Sequence, residues 1–67
     1  MLKIIINGHA SVQPVGTSVD AIVADMQLHG KRFAVERNGE IIPKSRLSET
    51  LIADGDKFEI VIAVGGG

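Results

Sequence analysis

A small two-layer α+β domain, one mixed sheet with one main helix on one face, is the fold class this sequence predicts. Three observations carry the expectation. The stretch Lys57-Phe58-Glu59-Ile60-Val61-Ile62-Ala63-Val64 is β-branched and aromatic, apolar enough to run through the middle of a sheet. Leu2 to Ile6 is a second apolar strand, followed at once by Asn7-Gly8, the strongest short hairpin signal. Between these strands, Val19, Ile22, Val23 and Met26 fall at i, i+3, i+4 and i+7, the apolar stripe of a helix.

Each element follows in order. In residues 2–6, Leu2, Ile4 and Ile6 point one way and Lys3 and Ile5 the other. Residues 9–13 form a more polar return strand at the sheet edge, ended by Pro14. Thr17 is the expected N-cap of a helix over 18–29, with Asp20 three residues on to favour the positive helix end. Gly30 is its expected C-cap. Residues 33–37 make a third strand, Asn38-Gly39 a second turn, and residues 40–42 a short strand stopped by Pro43. Residues 44–52 read as a loop with a turn of helix, its leucines under the sheet. Asp54-Gly55-Asp56 is a tight turn into the last strand. The first and last strands are the most apolar, so both are expected to be central, adjacent and parallel. With a helix crossing over between them, this is the β-grasp arrangement, as in ubiquitin. Val19, Ile22, Val23 and Met26 should pack against Leu2, Ile4, Ile6, Phe58, Ile60 and Ile62.

With 67 residues the chain is expected to be one domain over 1–64, plus a flexible glycine tail over 65–67. A domain of this size buries only about 60% of its unfolded surface. It holds no cysteine, which excludes disulfides, thiolate metal sites and thiol nucleophiles. Phe33 and Phe58 are its only aromatic residues, and the net charge is −1 with no basic block, so neither base stacking nor phosphate binding has material. No run is long and apolar enough for a membrane span and no signal pattern follows Met1-Leu2-Lys3, so a cytoplasmic protein is expected.

Classical catalytic sets are missing. Asp54 and Asp56 are too few for a calcium loop and fit a turn. His9 and His29 stand far apart without matching partners, so no metal site is expected. Lys31-Arg32 and Lys44-Arg46 could dock an acidic partner, though solvated charge is the commoner meaning of such runs. Ile5, Val61 and Ala63 are expected to sit together as an apolar patch on the sheet face away from the helix, a partner-binding surface. Gly65-Gly66-Gly67 lacks the Lys and Ser/Thr of a phosphate loop. A run of glycines is thin and passes through any backbone geometry, which suits a terminus threaded into another protein's active site. A frayed end or linker is the plainer reading of the same residues.

Taken together, Asn7-Gly8, Gly16-Thr17, Asn38-Gly39-Glu40-Ile41-Ile42-Pro43, Asp54-Gly55-Asp56, Glu59-Ile60-Val61 and the final Gly66-Gly67 resemble the ThiS family of ubiquitin-like sulfur carriers, in order and spacing over nearly the whole chain. Family members often carry Trp near Leu47 and Arg at Lys44, so local contacts there are expected to differ. The resemblance implies a carrier that is not itself an enzyme. Its Gly67 carboxylate would be adenylated by a ubiquitin-activating-like adenylyltransferase, ThiF. ATP would be consumed by that partner and no cofactor bound by the carrier. A sulfur donor protein would then convert the adenylate to a thiocarboxylate. Thiazole synthase, ThiG, would take the sulfur for the thiazole of thiamine. The free carrier would be a monomer, with no nucleic-acid or membrane partner. Three rivals share the fold: a molybdopterin-synthase sulfur carrier subunit, whose chains tend to be longer; a ubiquitin-like protein modifier; and a non-catalytic β-grasp binding module.

Overall fold

The structure is a computed structural model, and it describes residues 1–63. Expectations for Val64 and for Gly65, Gly66 and Gly67 lie outside the described residues.

Five strands, one helix and one short 3₁₀ turn follow in the order β1 (Leu2–Ile6), β2 (His9–Gln13), α1 (Val19–Asp25), β3 (Phe33–Arg37), β4 (Glu40–Ile42), a 3₁₀ turn at Lys44–Arg46, and β5 (Lys57–Ile62). The sheet order is β2-β1-β5-β3-β4. β1 and β5 are parallel neighbours, with Ile5 opposite Lys57 and Ile6 opposite Phe58. All other pairs are antiparallel. The two hairpins β1–β2 and β3–β4 therefore flank β5. Asn7 and Asn38 open their turns at φ 49° and 51°, each followed by a left-handed glycine, as a type I′ turn requires. This is the β-grasp fold.

One face of the sheet carries the core. Ile4, Val35, Phe58 and Ile60 point into it from the strands, and Val19, Ile22 and Val23 from the helix. Leu28, Leu47 and Ile52 complete it from the connections. The segment between β4 and β5 binds the helix start by its backbone: Val19 N donates to Thr50 O at 2.8 Å, Asp20 N to Leu47 O at 3.0 Å and Ile52 N to Thr17 O at 2.9 Å. Of the two leucines expected under the sheet, Leu47 is buried there and Leu51 is not: it turns to solvent, and Ile52 fills the core beside Leu47.

Four expectations are corrected. The N-cap is Ser18, whose Oγ accepts from Ala21 N at 3.1 Å. Thr17 instead donates its hydroxyl to Pro14 O at 2.8 Å, closing the turn before the helix. The helix ends at Asp25, well before Gly30. Gln27 adopts φ 59°, and Leu28 N reaches back to Val23 O at 3.2 Å while Gln27 N reaches Ala24 O at 2.9 Å. That pair of bonds is a Schellman motif. Its cause is Leu28, which a continued helix would carry off the apolar stripe and which the left-handed reversal returns to the core. Met26, at the cap, is only partly buried. Lastly, β5 ends at Ile62, and that side chain is 45% exposed rather than buried. Beyond Ile6, β1 no longer flanks β5, so Ile62 has a strand neighbour, Phe33, on one side only.

Candidate functional site: the base of the C-terminal tail

Any chemistry at Gly65–Gly67 must be delivered by β5, so the site is built from what holds that strand. Its inward residues Phe58 and Ile60 anchor it in the core, and its outward residues Lys57, Glu59 and Val61 are exposed. Both Asn-Gly turns then grip it by their side chains. On the β1 side the ladder runs from Ile5 N to Asp56 O and from Asn7 N to Phe58 O, both at 2.9 Å. There β1 turns away. The Asn7 side chain takes its place: Ile60 N donates to Oδ1 at 2.7 Å, and Nδ2 donates to Ile60 O at 3.1 Å. A side-chain amide carries the same donor and acceptor as a peptide unit, so it extends the ladder by one step. On the β3 side Lys57 N donates to Asn38 Oδ1 at 2.9 Å, and Asn38 N donates to Lys57 O at 2.8 Å. Past Ile62, Ala63 N still donates to Arg32 O at 3.0 Å. The chain therefore leaves the sheet from a strand held on both sides up to Ile60 and on the β3 side as far as Ala63.

Asp56 braces the strand entrance. It is buried and pairs with Arg37, Nη2 to Oδ2 at 3.0 Å. It also accepts from Ala53 N at 2.8 Å and from Asn38 Nδ2 at 3.2 Å. Burial pushes its carboxyl pKa up. The hydrogen bonds from Ala53, Arg37 and Asn38, with the Arg37 charge, outweigh that and hold it below the ordinary value.

The predicted patch divides. Ile5, Val61 and Ala63 are all exposed, and Ile5 and Val61 share the outward face. They do not sit together. Ile5 lies opposite Lys57, four residues before Val61 along β5, a separation of roughly 13 Å. Glu59 stands between them, facing Glu36 across the β3–β5 pair. The two-residue reach of the parallel β1–β5 pairing, which the sequence did not reveal, explains the division. Val61 and Ala63 belong instead to a cleft of about 240 Å³ that they line with Arg32, Phe33, Ala34 and Lys44. The Lys44 ammonium lies over the Phe33 ring, 4.4 Å from its centroid. Of these neighbours, Arg32 and Lys44 stand out in the sequence as members of two separate basic pairs, able to dock an acidic partner but more commonly solvated charge; their meeting in one cleft does not. Asn7 and Asn38 had been read only as turn residues; their clamping of β5 depends on contacts 53 and 19 residues away.

His29 does have a partner, Asp20 at 3.0 Å, an exposed pair. Among the described residues no three of His, Cys, Asp and Glu gather as metal ligands. Among the described residues no helix is long and apolar enough to cross a membrane.

Comparison with known proteins settles the family. The ThiS family profile matches residues 4–67, including the terminal glycines. This chain belongs to the ThiS family. The sulfur carrier protein ThiS of Bacillus subtilis is 46% identical over 50 residues, covering 75% of this chain and 76% of that protein. A thiazole synthase of Paramagnetospirillum magneticum is 39% identical over 66 residues, 98% of this chain. This chain spans only about a fifth of that synthase's length. The crystal structure of the thiamine biosynthesis protein ThiS from Geobacter metallireducens superposes with a TM-score of 0.76 at 26% identity, over 98% of this chain and all of that one. The ThiS family thus shares the β-grasp sheet described here.

Proposed function

We propose that this chain is a sulfur carrier of thiamine biosynthesis that works through the carboxylate of Gly67. The observation that carries the reading is the ThiS family match through the terminal glycines, in a fold whose clamped central strand precedes them in the chain.

The chemistry follows from the tail. A carboxylate is a poor acylating group. In a ThiF-like adenylyltransferase a Gly67 carboxylate oxygen attacks the α-phosphorus of ATP, pyrophosphate leaves, and the carbonyl acquires AMP as a good leaving group. A sulfur nucleophile supplied by a donor protein adds to that carbonyl and expels AMP. The product is a terminal thiocarboxylate. Glycine offers the least hindrance to attack at its carbonyl. The carrier supplies no catalytic group and acts as a co-substrate. A thiazole synthase as acceptor is supported by the relatives of that name, a fifth of whose length this chain matches.

The test is intact-mass spectrometry after incubation with the adenylating enzyme, ATP and a sulfur donor. The expected product is heavier by the difference between one sulfur and one oxygen, with fragmentation placing the change on Gly67. Deleting Gly67 withdraws the carboxylate from the adenylating site by one residue. Since a misplacement of 1 Å costs on the order of 100-fold in rate, the deletion should abolish the product and leave thermal melting unchanged. Sulfur found elsewhere, or retained by the deletion variant, would sink the carrier reading.

A further inference from the structure

The two basic pairs, Lys31-Arg32 and Lys44-Arg46, are separated in sequence, yet the fold brings Arg32 and Lys44 to one cleft. β3 begins at Phe33, directly after Arg32, and the 3₁₀ turn begins at Lys44. The end of β5 runs beside both. The cleft floor is apolar, formed by Phe33, Ala34, Val61 and Ala63, and its charged groups are the cations of Arg32 and Lys44. Among the described residues no carboxylate lines it. Among the described residues neither cation forms an ion pair, while Arg37 and Arg46 each do.

Chain length decides what must cover this cleft. Ala63 lines it, and residues 64–67 follow. Four residues span at most about 14 Å. An enzyme acting on the Gly67 carbonyl therefore brings its surface within that distance of Ala63. A stable interface covers about 800 Å² of each partner, a disc of roughly 16 Å radius, so such an enzyme overlies the cleft.

We infer that the Arg32–Lys44 cleft is the docking site for an acidic, apolar-tipped segment of the adenylating enzyme that receives the tail. This rests on the carrier reading. The partner's carboxylates meet Arg32 and Lys44, and its apolar tip meets Phe33 and Val61. Val61 is thus a contact residue through this cleft and not through a patch shared with Ile5.

The experiment measures affinity for the purified adenylating enzyme at low and high salt, together with the rate of thiocarboxylate formation. Arg32→Glu with Lys44→Glu should weaken binding about tenfold at low salt, mainly through slower association. KM should rise with kcat unchanged. Wild-type affinity should fall as salt rises, and that of the variant should change little. Thermal melting checks that the variant folds, and the milder Arg32→Gln with Lys44→Gln should give an intermediate loss. Lys3→Glu with Val12→Glu adds negative charge at the far end of the β1–β2 pair, away from the cleft, and should leave binding unaltered. An equal loss in that control assigns the effect to net charge and overturns the proposal. So does unchanged binding in the cleft variants, or a loss seen with thiazole synthase alone. A wild-type chain that never gains sulfur removes the carrier reading instead, and the binding comparison still decides the cleft.

Discussion

Asp56 is the buried charged side chain of the described fold, and its environment makes stability depend on pH. Its folded pKa lies below the ordinary value of 3.8. A carboxyl with a depressed folded pKa contributes stability that is fully present above the unfolded pKa and is lost as pH falls through the folded one. Melting temperature should therefore hold steady above about pH 5 and drop on acidification below the ordinary carboxylate range. Asp56→Asn should start lower and show a shallower drop, as thermal denaturation followed by circular dichroism across pH would reveal. The sequence shows Asp56 as a turn residue but not its burial, because its partners Arg37 and Asn38 belong to the β3–β4 hairpin, distant in sequence. Asn7 and Asn38 illustrate the same limit. Their positive φ is a local property that Asn-Gly announces. Their grip on β5 is set by the sheet order.

At the scale of elements, the strands were legible and the helix ends were not. Alternation and the Asn-Gly pairs placed β1 to β4 because those signals are local. The helix stripe was legible too, and Val19, Ile22 and Val23 are buried as it required. Its end was hidden because Gln27, not a glycine, takes the left-handed position. An L residue there carries strain that glycine avoids. Gln27→Gly should accordingly stabilise the domain by up to about 1 kcal/mol. Urea denaturation measures this, and a loss of stability would mean that the Gln27 side chain makes contacts outweighing the strain.

For the whole molecule, the two faces of one strand should answer differently to the same change. Ile60 faces the core and Val61 faces outward, beside the cleft. Ile60→Ala should cost about 2–5 kcal/mol by removing buried methylenes and leaving a cavity. Val61→Ala should change stability by no more than about 0.5 kcal/mol, while weakening attachment to the adenylating enzyme. Equilibrium unfolding and binding titrations on both variants separate the effects. The parallel pairing of β1 with β5 was legible because both strands are strongly apolar and a helix crosses over between them. The glycine run pointed to the site's position on β5. The cleft was not legible. It is assembled from the start of β3, the 3₁₀ turn and the end of β5, segments that no periodicity relates.

The parallel pairing of β1 and β5 also has a mechanical meaning. A pull on the C-terminal end acts along the axis of β5, while its bonds to Asn7 and β3 run across that axis. Tension is therefore shared by rungs on both sides and loads them in shear, where peeling from an edge would break them singly. Under the carrier function proposed above, a partner drawing on the chain beyond Ala63 would load β5 as a tow line loads its cleat, along its length, and the domain would hold without unravelling.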